Sequence, residues 1–164
     1  MHFAYVPFII LRGRNGVMKM ISDILQRRNV RIIDHVADWK DAIYTCTDAL
    51  KVQGYITEKY PEAVIHITEE YGPYYVLCPN VALIHARPQD GVIKMQLSVT
   101  LLHQPVFFKD KKVPARLLIT LAATDSKSHL EAMQQIAELL LDDERINQLL
   151  HAENEDVLYQ MFIS

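Results

Sequence analysis

The sequence predicts an α/β fold, a mixed, mostly parallel sheet sandwiched between helices. Three observations predict it. Helical periodicity occupies the segments on either side of the middle, short apolar runs rich in Val, Ile, Leu and Thr fill the middle itself, and the connections are short. With 164 residues, half of them apolar and 23% charged, the chain has the length and balance of one globular domain with its own core.

Residues 1–17 are expected to be an extension outside that fold, the native chain starting near Met18 or Met20 and the single domain covering 18–164. An extra edge strand is the alternative. The run Phe3 to Leu11 is apolar but too short to span a bilayer, and it lacks the basic start and small-residue cleavage site of a secretory signal. Arg12-Gly13-Arg14-Asn15-Gly16 then breaks any regular pattern. Asn29 to Val36 reads as a strand. Asp38 is placed to cap a helix, with Asp41 in its first turn and Trp39, Ala42, Ile43, Cys46, Ala49 and Leu50 along one apolar face. Gly54 ends it. A second helix is predicted from Thr57, with Pro61 in its first turn and Tyr60, Ala63, Val64 and Ile67 facing inward, until Gly72-Pro73 stops it.

Tyr74–Cys78, Val81–His85, Met95–Leu102 and Ala115–Ala123 are predicted strands, separated by Pro79-Asn80, Pro88-Gln89-Asp90-Gly91 and Lys109 to Lys112. Leu117 to Ala123 is almost continuously apolar, as a strand covered on both faces should be. Helix returns with Ser128 as N-cap, Glu131 as its partner, and Leu130, Met133, Ile136, Ala137 and Leu140 inside. Asp143–Leu150 and Glu153–Phe162 are two shorter helices.

A net charge of −3 gives no basic surface for nucleic acid, and the cluster Arg27, Arg28, Arg31 is offset by Asp23, Asp34 and Asp38. Cys46 and Cys78 form no CxxC pair and lie in apolar patterns, as expected of buried free thiols in a reducing cytoplasm. No HExxH, glycine-rich phosphate loop or GxSxG motif occurs. Glu69-Glu70 reads as a solvated pair.

Two of the seven histidines stand out by position. His85 ends the apolar strand Val81 to Ile84, followed by Ala86, Arg87 and Pro88. A ring at a strand exit is accessible, and a guanidinium nearby suits an anion. His129 follows Thr124 to Ser128 at the start of a helix, where free backbone N–H groups favour phosphate. Strand ends in open α/β sheets gather ligands, so the two loops are candidates to share a pocket. A surface histidine at a strand end is the competing reading, and a two-histidine zinc site completed by Asp125 or Asp90 is a weaker one, without the close spacing such ligands show.

The run Val81-Ala82-Leu83-Ile84-His85-Ala86-Arg87-Pro88-Gln89-Asp90-Gly91-Val92 resembles the active-site segment of the mannitol/fructose class of bacterial enzyme IIA. Asp38-Trp39 to Gly54 resembles that family's first helix. Gly72-Pro73-Tyr74-Tyr75-Val76 resembles the lead-in to the site, and Leu121-Ala122-Ala123 with Ser128-His129-Leu130 its second-histidine segment. The likeness covers residues 22–164, and the His-Ala-Arg-Pro wording favours the ascorbate-type branch. Two features depart from the pattern. Ile84 stands where the family usually has Pro, and Thr68 to Glu70 offers no arginine on the second helix.

The resemblance implies the mannitol/fructose-type IIA fold and a cytoplasmic phosphoryl carrier of a sugar phosphotransferase system. His85 would accept a phosphoryl group from phospho-HPr and pass it to a cysteine of enzyme IIB, which serves a membrane enzyme IIC. His129, and Arg87 in place of the absent arginine, would stabilise the group. No cofactor or metal, nucleic acid or membrane insertion of this chain is implied. A regulatory module, whose phosphorylation at His85 controls binding of a protein partner, is the alternative of another class; a metal-dependent hydrolase built on the two histidines is the third.

Overall fold

The computed structural model describes residues 19–164. The expected extension over 1–17, with Met18, lies outside the described residues. The elements run α1 (Ile21–Ile24), β1 (Leu25–Ile33), α2 (Trp39–Val52), α3 (Lys59–Tyr71), β2 (Val76–Cys78), β3 (Asn80–His85), β4 (Gln96–Phe107), β5 (Pro114–Ala122), α4 (Ser126–Leu139), α5 (Asp143–Leu150) and α6 (Glu155–Ile163). The five strands form one sheet in the order β1-β4-β5-β3-β2. β1 with β4 and β3 with β5 are parallel, whereas β4 with β5 and β2 with β3 are antiparallel. The sheet is mixed, and its pairings divide evenly instead of being mostly parallel. The cause is connection length: the short links after β2 and β4 reach only an antiparallel neighbour.

Side chains alternate across the sheet and so define two layers. Val81 and Leu83 of β3, with Leu117, Ile119 and Leu121 of β5, pack against Ala132 and Ile136 of α4, Leu149 of α5 and Leu158 of α6. Ala82 and Ile84, with Leu118 and Ala122, pack on the other face against Ile43, Cys46 and Leu50 of α2 and Tyr60 and Val64 of α3. β5 is therefore buried on both faces, as its nearly continuous apolar run requires. Cys46 is fully buried, and burial pushes its thiol up to about 12, so it is chemically quiet. Cys78 is free but only half-buried, on the short edge strand β2.

Several boundaries differ from the sequence reading, and four of them have a local reason. β1 starts at Leu25 because its polar stretch Gln26 to Arg28 lies in an irregular part of the ladder, between Leu25 opposite Leu97 and Val30 opposite Val99. β4 continues past Pro105 to Phe107. Its neighbour β1 stops at Ile33 opposite Leu102, so the proline meets no partner on that side. α4 is capped by Asp125, whose carboxylate accepts from the Ser128 amide at 2.8 Å; Ser128 is already inside the helix. That phase puts Ala132 and Ile136 inward and leaves Leu130 62% exposed. α6 starts after Asn154, which accepts from Val157 N at 2.9 Å.

Among the described residues, no helix is long and apolar enough to cross a membrane. Arg27 pairs with Glu155 and Asp156 of α6, whereas Arg28 donates to Gln26 Oε1 and Arg31 to the Thr45 carbonyl oxygen. Glu69 pairs with Lys40, and Glu70 lies 3.5 Å from His66, which leaves no acid/base dyad there.

Candidate functional site

β3 and β5 run parallel and leave the sheet together, with His85 opposite Leu121 as their last paired position. The loops at their two exits therefore meet at one end of the sheet. After β3 comes His85-Ala86-Arg87-Pro88; after β5 comes the turn into α4, whose first turns carry Ser126 and His129. The two imidazoles approach to 5.4 Å between ring centroids. They share a pocket of about 440 Å³ lined by Tyr74, His85, Ala86, Arg87, Pro88, Ser126, His129 and Leu130. The structure thus brings His85, His129 and Arg87 to one site. His35, His66, His103 and His151 occupy exposed positions elsewhere.

His85 is half-buried, and three contacts hold it. Its Nδ1 lies 2.7 Å from the Leu83 carbonyl oxygen. A carbonyl only accepts, so Nδ1 carries the proton, and in the neutral ring Nε2 keeps the lone pair. The Tyr74 hydroxyl donates to the His85 carbonyl at 2.8 Å, and its ring stands edge-on to the imidazole at 5.1 Å and 89°. Burial lowers the His85 pKa, an effect partly offset by the Leu83 hydrogen bond. His129 is also lowered, first by burial and then by the charge of His85. Two rings this close resist double protonation, so the pocket favours neutral imidazoles.

Arg87 behaves differently from what position alone suggests. Its guanidinium makes two 3.0 Å bonds to Asp90, and its backbone N–H a third of 3.0 Å to the same carboxylate. The Asp90 side chain is 5% exposed and the Arg87 side chain 66%. The hydrogen bonds from Arg87 hold the Asp90 carboxyl below the usual carboxylate range. Arg87 is thus the cation among the described pocket-lining residues, but its charge is already matched. The loop is anchored further where Thr57 N donates to Gly91 O at 2.8 Å and Lys59 Nζ to Gln89 O at 3.2 Å. Gly91 adopts φ +94, and a Cβ there would press into Thr57 Oγ1, so glycine is required on both counts.

Sequence reasoning missed Tyr60, Tyr74 and Ser126 as site neighbours. An inward tyrosine always raises the question of its hydroxyl's partner, and for Tyr60 that question leads to the site. Tyr74 is signalled only as part of the Gly72-Pro73-Tyr74 lead-in, and Ser126 has no comparable signal. Among the described residues no group of three or more His, Cys, Asp or Glu side chains converges as a metal cage.

Residues 23–164 match the family model described as phosphoenolpyruvate-dependent sugar phosphotransferase system, EIIA 2. The chain is 41% identical over 138 residues to a mannitol-specific cryptic phosphotransferase enzyme IIA component of Escherichia coli K12, covering 84% of this chain and 94% of that protein. An E. coli solution structure under the same description superposes with a TM-score of 0.83 at 39% identity, covering 88% and 98% of the two chains. The ascorbate-specific EIIA component of E. coli K12 is 31% identical over 140 residues, 84% of this chain and 91% of that one. The fold also matches IIA of the E. coli mannitol system in its complex with phosphorylated IIB, with a TM-score of 0.70 and 20% identity over 82% and 94% of the chains.

Proposed function

The chain belongs to the EIIA 2 family of the phosphoenolpyruvate-dependent sugar phosphotransferase system, and on that premise we propose that His85 carries the phosphoryl group. The observation that supports this reading is the tie of His85 Nδ1 to Leu83, which leaves Nε2 as the nucleophile beside His129 in an open pocket. The Nε2 lone pair attacks the phosphorus of phospho-HPr in line. The new N–P bond forms as the donor's phosphorus–nitrogen bond breaks, and the Nδ1 proton stays on the ring, hydrogen-bonded to the Leu83 carbonyl. A cysteine thiolate of enzyme IIB then attacks, and the imidazole leaves.

Little covalent machinery is needed beyond positioning and charge balance. His129 supplies an N–H donor to the equatorial oxygens, with Arg87 at the rim. Tyr74 and Leu130, 45% and 62% exposed, give the mouth an apolar border suited to protein partners. An enzyme IIB partner fits the complex known for the mannitol-system neighbour. The chain works in the cytoplasm and supplies a membrane enzyme IIC through IIB. The cargo is ascorbate or a related sugar, with mannitol in the same short set because a relative of that name shares 41% identity.

The test is reconstitution with enzyme I, HPr and candidate IIB/IIC pairs: the cognate pair should draw phosphoryl from this chain and no phosphoryl should move without it. A chain that accepts phosphoryl yet serves none of the pairs contradicts the transport assignment. The pH dependence comes from the ring. Because burial lowers the His85 pKa and the neutral form attacks, acceptance should stay level as pH falls to about 6.5, the ordinary histidine value, and decline only below it. NMR titration of the ring checks this; a midpoint above the ordinary value contradicts it.

A further inference from the structure

Tyr60 lies in the first turn of α3, away from the pocket lining, and its side chain is completely buried. Its hydroxyl nevertheless reaches the point where β3 and β5 end. It accepts from the Ala86 backbone N–H at 3.1 Å and donates to the Leu121 carbonyl oxygen. Ala86 follows His85 directly, and Leu121 is the residue paired with His85 across the ladder. One phenol oxygen therefore joins the residue after His85, at the exit of β3, to Leu121 near the end of β5, just before the chain leaves for α4 and His129.

From this geometry we infer that Tyr60 is a positioning residue for phosphoryl transfer, setting the separation and mutual orientation of His85 and His129. The inference rests on the phosphoryl-carrier reading of His85. The Ala86 N–H and the Leu121 carbonyl are buried backbone groups, for which a fixed partner is obligatory. The donor and acceptor order also matters. The phenol must take a proton on one side and give one on the other, so a hydroxyl fits and a purely accepting or purely donating group does not. Tyr60 is coupled to the loop as well: Lys59, its neighbour, holds Gln89, and the Tyr60 backbone N–H lies beside Gly91. The turn after His85 thus rests on the first turn of α3 at three places. Small misplacements of reacting groups lower rate steeply, so a link of this kind acts on turnover and leaves partner binding alone.

The test is Tyr60→Phe, which keeps the ring volume and removes only the hydroxyl. Phosphoryl on His85 should still reach one group per chain at the end point. Transfer to IIB should slow about 10-fold in kcat, with the KM for IIB within about twofold. In a His129→Ala background the same change should cost less than about twofold, because the ring it positions is gone. A structural role alone would give the same factor in both backgrounds, and that result overturns the inference. Should the variant not fold, the unmodified protein answers instead. The phenolic proton of Tyr60, held between two partners, should give its own NMR resonance with a contact to the Ala86 amide, and should shift when His85 is phosphorylated. A resonance indifferent to phosphorylation overturns the inference too. Failure of the carrier reading looks different: the unmodified protein takes no label, or keeps it after His85→Ala.

Discussion

Replacing His85 with alanine should abolish acceptance of phosphoryl from phosphoenolpyruvate through enzyme I and HPr, a loss of at least about a hundredfold. The prediction is this large because the reaction needs one nucleophile, and the pocket holds a single nitrogen arranged for the task. Nδ1 of His85 is committed to Leu83, which leaves Nε2 as the ring's other nitrogen, and Tyr74 grips the carbonyl of the same residue, which lines the pocket. His129 lies close but on a helix, with no described partner that selects one of its nitrogens. The change should leave the sheet intact, since His85 is half-buried at the very end of β3, whereas the core on that strand is held by the fully buried residues before it. The check is incorporation of radiolabel together with a fold assay. Full labelling of the folded variant would refute the assignment.

Alanine at His129 should separate acceptance from delivery. The variant should still take up phosphoryl on His85, but pass it to IIB more slowly by about 100- to 1,000-fold, the range for losing one preorganised donor to developing charge. The reason is electrostatic. Before phosphoryl arrives, burial and the neighbouring ring favour neutral His129. Once a dianionic phosphoryl sits between the rings, the same closeness favours the protonated form, so the ring follows the charge of its guest. Arg87 is a poor substitute, because Asp90 already matches its charge through two side-chain bonds. Single-turnover transfer from the phosphorylated variant to IIB measures the effect; unchanged transfer would show that His129 is structural.

Much of the fold is legible in sequence because its signals are local. The Asp38 cap, the three- and four-residue spacing of α2, and the stop at Gly72 are each encoded within a few residues, and the structure places them where the spacing puts them. The nearly continuous apolar run of β5 carries its central place in the sheet. The strand order is not legible, because it depends on which hairpins close, and the even division of parallel and antiparallel pairs comes from those connections. Asp125 takes the cap expected of Ser128 because both can accept a helix amide, and tertiary phase chooses between them. At the site, the exits of β3 and β5 announce His85 and His129 individually. Their approach to 5.4 Å, the Arg87–Asp90 pair and the buried phenol of Tyr60 depend on how separate loops fold onto one another, and no local pattern records such contacts.

The most direct test of the central claim is the NMR spectrum of the phosphorylated protein labelled with nitrogen-15 in its histidines. Phosphorus–nitrogen coupling should appear at a single ring nitrogen, Nε2 of His85, while Nδ1 keeps its proton and its bond to Leu83. Coupling to Nδ1 of His85, or to any nitrogen of another histidine, would contradict the assignment.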